Sequence, residues 1–223
     1  MANNKIIRVA IDGPGGAGKS TIAKLVAKNL GIEYIDTGAM YRAIGLKILM
    51  EKVDLKDQES LATLLRNTEI DFINEKIYLD GKDVSGLIRT QDISMMASDC
   101  SKEAMVREKL VKLQRDIGNK KSIVMDGRDI GTNVLKDAEL KIFLTADASI
   151  RAKRRYEELK SNGQEADYES ILEDINKRDY QDSNRKLNPL KKAEDAILLD
   201  TSDLNIDEVV ECIKGYIENL NLS

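Results

Sequence analysis

The chain has 223 residues, 42% hydrophobic and 33% charged, with a formal net charge of −4. That is length enough for an α/β domain with a sizeable core, and the acidic balance excludes a globally basic footprint for duplex nucleic acid. Histidine is absent, which excludes imidazole catalysis and histidine metal sites, and Cys100 and Cys212 read as free thiols of a reducing cytosol, not as a disulfide or metal framework.

Met1-Ala2-Asn3-Asn4-Lys5 leads directly into the first strand and reads as carrying no signal peptide. No apolar run approaches the ~20 residues of a membrane helix. Residues 6–11 are short, apolar and β-branched, as in a buried strand. They enter Gly13-Pro14-Gly15-Gly16-Ala17-Gly18-Lys19-Ser20, the pattern G-x-x-x-x-G-K-[ST] of a P-loop that grips a nucleoside triphosphate. Residues 21–30, from Thr21, have helical spacing and stop at Gly31. The glycines let backbone N–H groups approach phosphate oxygens, and the helix N-terminus adds partial positive charge. Lys19 is expected to reach the β- and γ-phosphates and the Ser20 hydroxyl to hold Mg²⁺.

Glu33–Asp36 reads as a second buried strand. Residues 69–86 break the rhythm. Ile70–Ile73 and Lys76–Leu79 flank Asn74-Glu75, and Asp80-Gly81 follows, which predicts a small antiparallel hairpin, either ornamental or clamping a substrate. Residues 90 to about 118 predict one long helix, with Ile93, Met96, Met105, Leu110, Leu113 and Ile117 apolar. Further strands are expected at 122–126, Leu140–Thr145 and 196–200. A helix over 149–160 carries Arg151, Lys153, Arg154 and Arg155. A polar turn at 161–165 and a helix over 168–182 follow, and together they suggest a lid over phosphates. Alternating β and α segments argue for a parallel sheet covered on both faces. Ligands of such sheets bind beyond the carboxyl ends of the strands, which singles out the P-loop, Asp36-Thr37-Gly38, Asp126-Gly127-Arg128-Asp129 and Ala146-Asp147.

Many chemistries share the P-loop. Asp83-Val84-Ser85-Gly86 matches DxxG and Asn176-Lys177-Arg178-Asp179 matches NKxD, the order found in GTPases. The second, however, follows residues with helical spacing rather than a buried strand. A kinase that phosphorylates a phosphate must hold two polyanions together, and arginine forks suit that task. Arg42 and Arg128 follow strands, Arg151, Arg154 and Arg155 open the lid helix, and Arg178 and Arg185 are spaced to share a helix face with Asp182 between them. A nucleoside monophosphate, with a second pKa of about 6, needs no general base. An alcohol acceptor would want one, and Asp129 or Asp36 could serve, so a kinase of another small acceptor is the alternative reading.

Over essentially its full length the chain resembles bacterial cytidylate kinases. The resemblance is carried by residues 11–21, 34–43, 83–90 (Asp83-Val84-Ser85-Gly86-Leu87-Ile88-Arg89-Thr90), 126–132, Lys141-Ile142-Phe143-Leu144, and Arg178-Asp179, Asp182, Asn184-Arg185 and Asn188-Pro189-Leu190. It implies a single domain over 1–223 with the three-layer P-loop nucleoside monophosphate kinase fold, a five-stranded parallel sheet with helices on both faces. An antiparallel acceptor-binding insert at about 66–90 and a short helical lid at about 152–168 belong to that fold. It implies ATP as donor, Mg²⁺ as cofactor, and CMP or dCMP as acceptor, in pyrimidine nucleotide metabolism. A cytoplasmic monomer without nucleic-acid or membrane partners is implied as well. Gly13 to Ser20 and Thr21 would bind ATP, with Ser20 the metal ligand. Thr37, Arg42 and Arg128 would hold the acceptor phosphate, and Ser98, Arg107 and Asp129 would read cytosine. Arg178 and Asp182 would contact ribose, and Lys19, Arg128, Arg154 and Arg185 would face the transferring phosphate.

Overall fold

The computed structural model describes residues 6–73 and 75–220; Met1 to Lys5, Asn74 and Asn221 to Ser223 lie outside the described residues. In chain order the elements are β1 (Arg8–Asp12), α1 (Lys19–Leu30), β2 (Glu33–Asp36), α2 (Thr37–Glu51), α3 (Gln58–Arg66), β3 (Ile70–Ile73), β4 (Lys76–Leu79) and β5 (Lys82–Asp83). There follow α4 (Gln91–Cys100), α5 (Ala104–Gly118), β6 (Ile123–Gly127), a π-helical turn (Ile130–Val134), β7 (Leu140–Thr145), α6 (Ala148–Ser161), α7 (Tyr168–Asn184), β8 (Ile197–Asp200) and α8 (Ile206–Glu218). They form two compact units, one made of the chain up to Tyr34 and from Ser122 onward, the other Ile35–Lys121.

A five-stranded parallel sheet has the order β2-β6-β1-β7-β8. Its central strands β1 and β6 are apolar and buried through their middles, whereas the edge strands β2 and β8 carry exposed positions, Glu33 and Leu198 among them. Val9 and Ile11 of β1, Val124 of β6 and Leu140, Ile142 and Leu144 of β7 pack with Ile22, Ala23 and Val26 of α1 and with Val209, Val210 and Ile213 of α8. The period of two turns the intervening Ala10 and Met125, also buried, to the opposite face. α8 holds its place with a capping box, Asn205 accepting from Glu208 N while the Glu208 carboxylate accepts from Asn205 N. No described helix is long and apolar enough to cross a membrane.

In the other unit the expected hairpin has a third strand. β3, β4 and β5 pair antiparallel, with Leu79 opposite Lys82. Asp80 and Gly81, at φ 50° and 77°, form a two-residue turn of type I′ hand. A strand of two residues leaves almost no alternation to read, which is why the sequence suggests only the first pair. Lys47 of α2, buried, anchors this sheet by donating from Nζ to the Asn67 carbonyl at 2.5 Å and to Asp80 Oδ2 at 2.6 Å.

The single helix expected over 90 to about 118 is two helices. Thr90 caps α4, accepting from Ile93 N. α4 stops at Ser101, whose hydroxyl folds back to the Ser98 carbonyl, and Glu103 is extended before α5 begins. Apolar spacing continues across the break, because Ile93, Ala97 and Cys100 and then Val106, Leu110 and Val111 are all buried, so periodicity alone hides it.

Candidate functional site

β1 delivers the chain into the P-loop. Gly13 has φ 150°, and a Cβ there would lie 1.9 Å from the Leu144 carbonyl oxygen, so the loop passes β7 only as glycine. Pro14 and Ala17 are buried, whereas Gly16, Ser20 and Thr21 face outward. Gly18 (φ 80°) precedes α1 and supplies no side-chain cap, and no acid lies in that helix's first turn. α2, α3, α4, α7 and α8 each begin with a side chain that accepts from their own first turn; α5 and α6, like α1, do not, but only α1 follows a glycine loop. The leading N–H groups of α1 and its dipole therefore suit an external anion.

Lys19 is 5% exposed and its Nζ donates to the Pro14 carbonyl at 2.6 Å. Burial, and next the positive charge of Arg128, push its pKa down to about 7, with Asp126 and Asp12 pulling the other way. The Ser20 hydroxyl donates to Asp126 Oδ2 at 3.0 Å and the Tyr34 hydroxyl to Asp126 Oδ1 at 2.7 Å. A hydroxyl beside a carboxylate is a hard oxygen pair that fits Mg²⁺. Among the described residues no set of three or more acidic, cysteine or histidine side chains could hold a metal. These donors therefore fit a cation that keeps phosphate and water ligands rather than one in a closed protein cage.

Three arginines converge on the loop. A Cβ at Gly15 would come within 3.5 Å of an Arg128 terminal nitrogen and 3.6 Å of Arg178 Cδ. Arg151 donates to the Gly15 carbonyl at 2.8 Å and to the Ala146 carbonyl at 2.8 Å, and it grips Asp179 through both terminal nitrogens at 3.2 and 2.5 Å. Arg154, one turn along α6, instead donates to the Thr201 carbonyl and hydroxyl after β8. Both lie on the basic helix foreseen from sequence, but only contact geometry distinguishes the arginine that touches the loop.

The segment after β6 is tied twice to α7 and its end. Arg128 Nε meets Asp182 Oδ2 at 2.9 Å, and Arg185 meets Asp129 Oδ1 at 3.0 Å. Burial raises the Asp182 pKa, but Arg128, with Arg178 and Arg185, more than offsets that and holds it below the ordinary range. Asp12, at the end of β1, accepts from Ile130 N and Gly131 N at 2.7 Å each, which fixes the turn that follows Asp129. Burial pushes the Asp12 pKa up to about 6 despite those two bonds. Asn176 to Asp179 lie inside α7, and Asp179 is gripped by Arg151. The GTPase use of NKxD, which needs a preceding strand, is thereby excluded.

The second unit has its own cradle. Thr37, 3% exposed, opens α2 behind Asp36, which accepts from Ala39 N and pairs with Arg42 at 2.8 Å. Arg42 folds over Gly38, whose Cβ would lie 3.1 Å from its terminal nitrogen, and Arg42 Nε is buried without a hydrogen-bond partner. The Arg42 fork, held by Asp36 over the start of α2, places a planar cation where it could pair with a phosphate. Ser98 and Arg107 lie on either side of the break between α4 and α5: Arg107 donates to the Ser101 carbonyl at 3.4 Å, and the Ser101 hydroxyl donates to the Ser98 carbonyl at 2.8 Å. The Arg107 guanidinium lies 5.8 Å from the Tyr41 ring centroid. The sequence assigns no role to Tyr41 or Asp126, for which the strand-end position of Asp126 is the available signal, and places Arg151 only among the arginines that open the lid helix.

A sequence profile described as Cytidylate kinase matches residues 9–219. The chain is 54% identical over 211 residues to a cytidylate kinase of Caldicellulosiruptor saccharolyticus, with 93% of each chain covered. It is 50% identical over 218 residues to a cytidylate kinase of Bacillus subtilis, covering 96% of this chain and 97% of that one. Among solved structures, a shikimate kinase from Bacteroides thetaiotaomicron matches with a TM-score of 0.52 and 14% identity, covering 96% of this chain and 99% of that one, a likeness of fold alone.

Proposed function

The chain belongs to the cytidylate kinase family, and from that premise we propose that it transfers the γ-phosphoryl group of ATP to CMP or dCMP, giving ADP and CDP or dCDP. The observation that carries the reading beyond a generic P-loop kinase is the second cradle. Arg42 over Thr37-Gly38, already paired with Asp36, supports an anionic acceptor, and the family match makes that anion a nucleoside monophosphate.

The P-loop amides and Lys19 hold the β- and γ-phosphates, and on binding them Lys19 regains a full charge. Ser20, with Asp126 beside it, would hold Mg²⁺, which would neutralise charge on the same phosphates. Thr37, Arg42 and Arg128 hold the acceptor phosphate. One of its oxygens bonds to the γ-phosphorus as the bond to the ADP oxygen breaks. No proton need be removed, because the monophosphate is already mostly a dianion at neutral pH. Arg128 and Arg185 offset the charge that accumulates on the transferring group, and Arg154 would join them on leaving Thr201. Asp129 accepts from the cytosine N4 amine while Ser98 and Arg107 complete base recognition, and Arg178 and Asp182 meet the ribose. The reading includes one catalytic domain with its insert at about 66–90 and its lid at about 152–168, acting as a cytoplasmic monomer.

A coupled ADP-release assay with CMP, dCMP, UMP, AMP, GMP and no acceptor tests it. Strong turnover is expected with CMP and dCMP. Equal turnover with the purine nucleotides, or ATP hydrolysis without an acceptor, would overturn the assignment.

A further inference from the structure

Asp12 ends β1, the central strand of the parallel sheet, and immediately precedes Gly13 of the P-loop. It is 4% exposed. β1 and β6 are paired in parallel with Asp12 opposite Gly127, and the chain leaving β6 turns back over the end of β1. There the two oxygens of one carboxylate take two successive backbone donors, Ile130 N on Oδ1 and Gly131 N on Oδ2, at 2.7 Å each. The approach is close, because a Cβ at Gly131 would lie 3.4 Å from Asp12 Oδ2 and 3.2 Å from Lys141 Cδ. Arg128 and Asp129 are thus the two residues between Gly127, held by strand pairing, and a pair of tethered amides. Each also meets an ion-pair partner on α7 or at its end, Asp182 and Arg185. α7 follows the lid, however, whereas Asp12 is fixed in the sheet.

We infer that Asp12 is a positioning residue for phosphoryl transfer, holding Arg128 and Asp129 in place from the strand end that also launches the P-loop; the inference rests on the reading of Arg128 and Asp129 as acceptor-side residues. The tether needs a carboxylate. Burial pushes the Asp12 pKa up to about 6, so at pH 8 the group is ionised and accepts on both oxygens. An amide of the same shape has one acceptor oxygen and turns its NH₂ toward the other N–H, which leaves a buried backbone donor unpaired. The turn then shifts off the end of β1, and Arg128 and Asp129 shift with it. Asp12 also supports the charge of Lys19, behind Asp126, so Asp12→Asn alone mixes two effects. Gly131→Ala separates them, because it keeps the Asp12 charge and disturbs the tether from its other end. Gly131 has no positive φ, so alanine acts there through its Cβ.

The test is kcat, KM for CMP and KM for ATP at pH 8 in the wild type, Asp12→Asn, Gly131→Ala and Arg128→Ala, with circular dichroism on each to establish folding. Both tether variants are expected to raise KM for CMP about tenfold, the scale of a hydrogen bond to a charged group. Misplacement of the acceptor should lower kcat as well, by up to about 10²-fold. In Gly131→Ala, KM for ATP should stay within about twofold of wild type, less than the effect of one hydrogen bond. A fold-only role would reduce the active fraction, lowering apparent kcat with both KM values unchanged; that result, or an equal rise in both KM values, refutes the positioning role. If Asp12→Asn does not fold, Gly131→Ala decides the question, and loss of folding in both variants makes the tether structural and overturns the inference. Arg128→Ala tests the reading beneath it. If Arg128→Ala raises KM for CMP while the tether variants do not, the role of Asp12 falls and that of Arg128 stands. If Arg128→Ala leaves KM for CMP unchanged, the acceptor-side assignment falls and the inference falls with it.

Discussion

Replacing Asp179 with alanine tests whether the P-loop is braced by an ion pair. Arg151 is 5% exposed at its side chain and Asp179 25%, and the two meet at 2.5 Å. At an effective dielectric of ~20 the attraction between charge centres ~4 Å apart is ~4 kcal/mol. Most of that offsets the desolvation of the two ions, so the intact pair is worth little net. Removing one partner is different, because it strands a buried guanidinium, which costs about 3–5 kcal/mol. The partial exposure of Asp179 places the expected loss near the lower end, about 3 kcal/mol. For a chain of this size that lowers Tm by roughly 6–12 °C. Urea denaturation followed by circular dichroism on wild type, Asp179→Ala, Arg151→Met and an Arg151→Met/Asp179→Leu double variant measures it. The double variant buries no lone charge and should recover most of the loss, ending within about 2 kcal/mol of wild type. Arg151→Met should also raise KM for ATP, since the Gly15 carbonyl loses its donor. Simple addition of the two single-variant losses, or an Asp179→Ala loss below ~0.5 kcal/mol, would refute the brace.

Lys19→Met should lower kcat by about 10²–10³-fold while making the nucleotide-free protein more stable. Its buried ammonium has a pKa lowered from 10.5 to about 7. The folded state therefore carries no penalty from it above pH 10.5, and the full penalty is present below pH 7. The stability gain from Lys19→Met should thus be greater at pH 6 than at pH 9 by roughly 2–3 kcal/mol; a gain independent of pH in matched denaturation curves contradicts this. Gly13→Ala drives a Cβ into the Leu144 carbonyl, whereas a Cβ at Gly18 meets no heavy atom within 4 Å. Gly18→Ala should therefore cost only the left-handed backbone term of about 1–2 kcal/mol, and Gly13→Ala should cost more and weaken ATP binding, as thermal melts and nucleotide titration would report. Asp182→Ala should reduce kcat/KM more for CMP than for dCMP, and an equal reduction would remove the ribose assignment from Asp182.

The strands after which the candidate site residues fall were legible from short buried apolar stretches, Tyr34-Ile35 in β2 and Ile142 to Leu144 in β7. The P-loop was legible because its backbone geometry demands glycine at fixed spacing. The division between α4 and α5 was not, since the apolar period runs through it and the break lies in the extended backbone of Glu103. Nor were the ties between partners distant in sequence, such as Arg128 with Asp182 or Arg151 with Asp179. Any of several arginines and aspartates could have paired, and only the folded chain chooses among them. Arg154 and Arg151 lie one helical turn apart with the same chemistry, yet one turns to Thr201 and the other to the P-loop.

Lys47 has a bearing on how this enzyme could be re-engineered. The insert looks like a cassette, a small sheet that could be exchanged to admit a different acceptor. Its anchor, however, belongs to the host helix, and two of the acceptors on that anchor, the Asn67 carbonyl and the Asp80 carboxylate, lie within residues 66–90. A graft cut at 66 and 90 would leave a buried ammonium in α2 facing whatever the new insert supplies. Transplanted inserts should therefore be chosen for an acidic residue at the hairpin tip opposite position 47, or position 47 should be changed with them.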